Sequence, residues 1–265
     1  MKIAVIGAGN MSEAILAGVI EQGVLSAEQI IVSDPLAERR EHMQATYGVL
    51  ATQHNDQAVA TADVIMLAIK PQVFPAVWEG LQNQLPASAL VVSIMAGISA
   101  ASIEQAGALR VVRVMPNTPS LVGRGAAGIA KGAYATDEDL ALVERLMRAV
   151  GVCVRVEEFQ LHAVTALSGS GPAYLFYLME AMIEAAMSLG LNEQEARLLC
   201  VETVGGAADL MAASDCAPSV LRERVTSKGG TTAAAIQSLE EQQVDQAMGR
   251  AMQRAFQRSQ ELAKA

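Results

Sequence analysis

The chain has 265 residues, a length that accommodates two domains. It is 52% hydrophobic, 18% charged and 3% aromatic, which excludes a disordered chain and implies a core of Ala, Val, Ile, Leu and Met. A formal net charge of −9 leaves no basic face for a phosphate backbone, so no nucleic acid partner is expected.

The start, "KIAVIG", runs directly into Gly7 and lacks the long apolar region and cleavage site of a signal peptide. The longest uncharged stretch of the C-terminal half, 163–179, is broken by "SGSGP". No membrane span is therefore expected, and a cytoplasmic location is. Cys153, Cys200 and Cys216 have no CxxC spacing and no nearby histidines, so neither a disulfide framework nor a metal site is predicted.

Through the first half, short aliphatic runs alternate with helical stretches. "KIAVIG" precedes a helix over 11–22, "IIVSD" one over 36–47, "DVIMLAIK" one over 73–83 and "ALVVSIMAG" one over 99–107, before "LRVVRVMPN". This alternation predicts βαβ units and a parallel sheet, and apolar residues at consecutive positions predict helices on both faces. "AAGIAK" and "VCVRVEE" could extend the sheet. Beyond Glu158 the strand signal ends, and helices are predicted over 172–189, 193–213, 218–225, 231–241 and 244–263. The helix from 172 is apolar nearly all round and needs cover on more than one side, which a partner copy would supply. The expected fold class is an α/β Rossmann-type N-terminal domain, 1–160, followed by an all-helical C-terminal dimerisation domain, 161–265.

"VIGAGNM" (5–11) follows a strand and precedes a helix, the context of a dinucleotide fingerprint. Gly7 permits the tight turn, Gly9 lets the backbone approach a pyrophosphate, and the helix N-terminus offers free N–H groups. Ser12 replaces the third glycine, at a position that serves helix–strand packing. Asp34 closes the second strand, where a carboxylate takes the adenosine ribose hydroxyl and repels a 2′-phosphate. Arg39 and Arg40, a turn further on, either reach a phosphate or are solvated on the helix face.

Five strings, "GAGNM" (7–11), "AIKP" (68–71), "MPNTP" (115–119), "SGSGPAY" (168–174) and "GGTT" (229–232), closely resemble the pyrroline-5-carboxylate reductase family. The resemblance covers essentially the whole chain. It implies reduction of L-1-pyrroline-5-carboxylate to L-proline, the last step of proline biosynthesis, by hydride transfer from NADPH or NADH. It also implies a homodimer with the active site between cofactor and helical domains, commonly assembled further as a decamer of five dimers. Cofactor contacts implied by the resemblance are Ile6, Gly7, Ala8, Gly9, Asn10 and Met11 of the turn, then Ser33, Asp34 and Asn55 at the adenosine end. Ala68, Ile69, Lys70, Pro71, Ala96 and Asn117 follow at the nicotinamide end. Substrate contacts implied are Glu158, Gly229, Gly230, Thr231 and Thr232, with Thr232 the catalytic candidate.

The second glycine turn has a chemical reading of its own. Gly229 and Gly230 lack Cβ atoms, so their N–H groups can converge at a helix start, where the dipole favours a carboxylate. A threonine hydroxyl both donates and accepts, as a ring nitrogen passing from imine to amine requires. Lys228 stands where family members often have proline, and some members have serine at the position of Asp34. A β-hydroxyacid dehydrogenase is the rival enzyme reading, but it would use a lysine on the helix after "SGSGPAY", which carries only Glu180 and Glu184.

Overall fold

The computed structural model describes residues 1–263. The strands are β1 (Ile3–Ile6), β2 (Ile30–Ser33), β3 (Leu50–Thr52), β4 (Val64–Leu67), β5 (Leu90–Ser93), β6 (Arg110–Met115), β7 (Gly125–Lys131) and β8 (Gly151–Arg155). The helices among and after them are α1 (Asn10–Glu21), α2 (Ala37–Tyr47), α3 (Asn55–Val59), α4 (Phe74–Leu81), α5 (Ala100–Glu104), α6 (Asp137–Arg148) and α7 (Leu161–Val164). α8 (Gly171–Ser188), α9 (Glu193–Ala212), α10 (Pro218–Arg224), α11 (Thr231–Glu241) and α12 (Val244–Leu262) complete the chain.

The strands form one sheet in the order β3-β2-β1-β4-β5-β6-β7-β8. β1 to β6 run parallel, β7 is antiparallel to β6, and β8 runs parallel to β7. The order reverses about β1, so the β1–α1 turn stands at the switch point, where α/β sheets bind ligands. β1, β4 and β5 are buried at every position, as strands covered on both faces must be. One core packs α1, α2 and α6 residues such as Ile15, Met43 and Val143 on the sheet; the other packs Trp78, Leu81 and Ile103 from α4 and α5.

The sheet departs from the sequence reading in two places. β3 was not among the expected strands: it has only three residues, sits at the sheet edge, and leaves Leu50 exposed, so its burial pattern is weak. The reversal of β7 breaks the expected parallel arrangement; the turn through Thr118–Val122 returns the chain beside β6, with Met115 opposite Gly128. β8 ends at Arg155, because Glu157 and Gln160 form a reciprocal capping box that starts a short 3-10 turn, Glu158–Gln160.

By compactness the chain divides into Met1–Pro172 with Ala255–Ala265, and Ala173–Arg254. In the first unit, His162 Nδ1 meets Ser259 Oγ at 2.9 Å and its ring stacks edge-on to Phe256. Gly97, at φ +77°, comes so close to Leu262 that a Cβ there would lie 3.1 Å from its carbonyl oxygen. α7 runs into a π-helical stretch, Thr165–Gly169, closed by the Ser170 N–H on the Thr165 carbonyl at 2.8 Å. In the second unit, α9 opens on the expected Asn192–Glu195 capping box, with Glu195 N–H donating to Asn192 Oδ1 at 2.9 Å. Its helices leave Leu175, Phe176, Tyr177, Leu198, Leu199 and Leu210 exposed in the single chain.

Candidate active site

Gly7 adopts φ +101°, and a Cβ there would stand 2.6 Å from the Ala68 carbonyl oxygen, so only glycine fits between β1 and β4. Its N–H donates to the Ser33 carbonyl at 2.7 Å, tying the turn to the end of β2. Gly9 caps α1 without a side chain, and beyond its chain neighbours nothing lies within 4 Å of the place its Cβ would take. The first N–H groups of α1 have no acceptor within the helix, so the turn presents bare donors at the positive end of the helix dipole.

A cleft of about 390 Å³ opens beside this turn, lined by Ile6, Gly7, Gly9, Ser33, Asp34, Asn55, Ala68, Ile69 and Lys70 of the expected residues. Pro35, Leu36, Val73 and Val77 complete the wall and were not singled out in the sequence. Leu36 and Val73 are exposed apolar side chains flanking the motifs, the signal that would have pointed to them. Ala8, Asn10 and Met11 continue the turn beside the cleft, and Pro71 starts the 3-10 turn after Lys70. A bare, glycine-lined donor set facing a mainly apolar cleft fits a dinucleotide: N–H groups for the diphosphate, apolar walls for the bases.

At the end of β2, Asp34 uses both carboxylate oxygens locally. Oδ2 accepts the Ala8 N–H at 2.8 Å and Oδ1 the Leu36 N–H at 2.9 Å. Ser33 Oγ donates to Asn55 Oδ1 at 2.5 Å. Arg39 Nε donates to the Ala8 carbonyl at 2.7 Å and its guanidinium pairs with Glu13, while Arg40 Nη1 donates to the Asp34 carbonyl at 2.8 Å. Both arginines are therefore engaged with the turns around the cleft rather than simply solvated.

Ala96 and Asn117 do not line this cleft. Ala96 lies on the loop after β5, half-buried. Asn117 is buried, donating to the Ser168 carbonyl at 3.0 Å and accepting the Ala126 N–H at 2.8 Å, so its amide joins the "MPNTP" and "SGSG" segments. Glu158 Oε1 accepts the Ala100 N–H at 2.7 Å and pairs with Arg113 Nη1 at 3.1 Å. Arg113 is buried and also reaches the Met95 carbonyl at 3.4 Å, while its Nε is without a partner among the described residues. Burial holds the Arg113 guanidinium below its ordinary pKa, and the Glu158 charge works against that shift. Glu158 and Arg113 thus bracket the loop that carries Ala96.

The second glycine turn belongs to the helical unit. Gly229 takes φ +71°, the left-handed region, and Gly230 caps α11 with no side chain of its own. A Cβ on Gly230 would stand 2.5 Å from Ser227 Oγ, whose residue also accepts the Gly230 N–H at 3.0 Å through its carbonyl. Thr231 is exposed and Thr232 half-buried in the first turn of α11, where helix N–H groups lack partners within the helix.

Residues 158–262 match the family model described as pyrroline-5-carboxylate reductase dimerisation, and residues 2–97 the one described as NADP oxidoreductase coenzyme F420-dependent. The pyrroline-5-carboxylate reductase of Pseudomonas aeruginosa is 44% identical to this chain, over 99% of it and 97% of the relative. The chain belongs to the pyrroline-5-carboxylate reductase family. Among solved structures, a pyrroline-5-carboxylate reductase from Coxiella burnetii is 39% identical, with a TM-score of 0.93 over 100% of this chain and 99% of that one. Pyrroline carboxylate reductase of Plasmodium falciparum, solved with NADP bound, is 25% identical, with a TM-score of 0.90 over 99% and 98% of the two chains. Within the family, the fold is a Rossmann-type domain followed by a helical dimerisation region. Among the described residues, no helix is long and apolar enough to cross a membrane.

Proposed function

We infer that this protein reduces L-1-pyrroline-5-carboxylate to L-proline with NADPH or NADH. The observation that carries the reading is the likeness to a reductase of that name along nearly the whole of both chains. The bare glycine turn over the apolar cleft supports it. When bound, the reduced nicotinamide supplies the hydride, and the chain's own residues bind and orient.

The turn Ile6–Met11 takes the diphosphate through its N–H groups. Ser33, Asp34 and Asn55 take the adenosine ribose, and Ala68–Pro71 take the nicotinamide end, with Ala96 and Asn117 supporting that end from outside the cleft. Gly229, Gly230 and Thr231 cradle the substrate carboxylate, with Glu158 a further substrate-side group. Thr232 is the catalytic residue: its hydroxyl accepts from a protonated ring nitrogen and donates to the amine that forms. Substrate arriving as the iminium needs no acid. A neutral imine takes its proton from water or through Thr232. Holding the reactants in contact geometry lowers the barrier by several kcal/mol, on the order of what orientation gives elsewhere.

In this reading residues 1–160 bind the dinucleotide, and 161–265 bind the substrate and pair with a second copy. The exposed Leu175, Phe176, Tyr177 and Leu198 favour pairing, because a monomer would leave these apolar faces in water. The protein acts in the cytoplasm as a homodimer, assembled further as a ring of five dimers, without nucleic acid. The deciding experiment is the initial rate of NADH and NADPH oxidation by the purified protein with pyrroline-5-carboxylate. Substrate-dependent oxidation is expected, whereas a folded, nucleotide-binding protein that oxidises neither would overturn the reading.

A further inference from the structure

Each of the carbonyl oxygens of Gly7, Ala8 and Gly9 has a side-chain donor within reach, the single Ser12 proton being shared between the first and the last. Ser12 Oγ reaches two of them, Gly7 O at 2.7 Å and Gly9 O at 2.9 Å, and Arg39 Nε reaches Ala8 O at 2.7 Å. A trans peptide is planar, so its C=O and N–H point in opposite directions. Fixing the Gly7 carbonyl therefore aims the Ala8 N–H, which Asp34 takes. Fixing the Ala8 carbonyl aims the Gly9 N–H. On its Gly9 side that peptide borders a residue with no side chain and open space where a Cβ would stand, so no side-chain packing of Gly9 helps to fix its plane.

Arg39 is itself held. Its guanidinium pairs with Glu13 on the first turn of α1, whose other carboxylate oxygen meets His42 Nε2 at 2.6 Å and accepts the Tyr47 hydroxyl at 3.0 Å. Glu13 is mostly buried, 17% exposed at the side chain, and Arg39, His42 and Tyr47 all come from α2. The cluster thus links two helices through one carboxylate and delivers a single N–H to the Ala8 carbonyl.

We propose that Arg39, braced by Glu13, is a positioning residue for the cofactor: it fixes the Ala8–Gly9 peptide so that the Gly9 N–H faces the diphosphate. This rests on the reading of the turn as the dinucleotide site. A charged donor on the Ala8 carbonyl also polarises that peptide and strengthens its N–H as a donor.

The test compares Arg39→Met, Arg39→Lys, Glu13→Gln and the double variant Arg39→Met/Glu13→Gln, with Gly9→Val as the site control. Dissociation constants for NADPH and for ADP-ribose, which retains the diphosphate and lacks the nicotinamide, are measured beside KM and kcat. Arg39→Met is expected to weaken both nucleotides about tenfold, the loss of one hydrogen bond to a charged group, with KM for pyrroline-5-carboxylate within about twofold of wild type. Arg39→Lys should recover part of the loss. Glu13→Gln should weaken binding about threefold, and the double variant should be no weaker than Arg39→Met alone, because both changes remove one device. Melting curves separate these effects from unfolding. Unchanged ADP-ribose affinity in a folded Arg39→Met, or additive losses in the double variant, overturns the proposal. If Gly9→Val also binds normally, the placement of the cofactor itself fails; if Gly9→Val alone loses binding, only the role of Arg39 does.

Discussion

The carboxylate of Asp34 accepts the Ala8 N–H at 2.8 Å, so the acidic residue closing β2 is joined directly to the glycine turn. Asp34 shapes the turn and also places a carboxylate in the wall of the cleft, at the end proposed for the adenosine ribose. Asp34→Ser keeps a short acceptor and removes the charge. It is expected to shift the ratio of kcat/KM for NADPH over NADH upward by about tenfold, through relief of repulsion at the 2′-phosphate. Parallel kinetics with the two cofactors measure it, and an unchanged ratio would assign Asp34 to the turn alone.

Gly9→Val should fold normally and lose the cofactor. Gly9 has an extended backbone at φ −78°, and open space surrounds the position of a Cβ, so the isolated protein accommodates the side chain. The isopropyl group then fills the approach to the helix N-terminus, and NADPH affinity should fall on the order of 100-fold. The variant's Tm is expected to match wild type. By contrast Gly7→Ala, forced against the Ala68 carbonyl, should lower Tm outright.

Thr232→Ala should lower turnover or substrate affinity by about tenfold or more while leaving NADPH affinity within about twofold. Thr232→Ser, which keeps the hydroxyl, should recover most of it. A parallel loss of cofactor binding in Thr232→Ala would remove this residue from the substrate side.

Acid should loosen the α1–α2 link. Burial works against the Glu13 carboxylate, but hydrogen bonds from His42, Arg39 and Tyr47 outweigh it and hold the carboxyl below its ordinary value of 4.5. A carboxyl depressed on folding contributes stability that is complete above its unfolded value and lost as pH falls through the folded one. Urea midpoints of wild type and Glu13→Gln should therefore differ at pH 6 and draw together as pH falls below the ordinary value of 4.5 and through the depressed one. A constant difference across that range would show that the charge of Glu13 is not what stabilises the link.

The parts of this molecule legible in sequence are those with local causes. The Gly7 conformation follows from a strand meeting a helix in one tight turn, and the capping box at Asn192 from two residues three apart. β3 was illegible because three residues at an edge carry no burial period. The reversal of β7 was illegible because composition does not encode strand direction; the turn after Asn117 does. The cleft residues could be grouped from motifs, whereas Glu13, 26 residues from Arg39, could be joined to them only through the packing of α1 on α2. The occupied amide of Asn117 is of the same kind, since its partners Ser168 and Ala126 come from separate segments.

The contact between Gly97 and Leu262 bears on the order in which the chain is made. The first compact unit consists of residues 1–172 together with the final stretch, and the intervening 173–254 form a unit of their own. A ribosome therefore delivers the last piece of the first unit only after the whole insert has emerged. The loop after β5 is translated early and receives its neighbour at Leu262 late, so nascent chains should hold an open seam beside Gly97 until Leu262 has emerged.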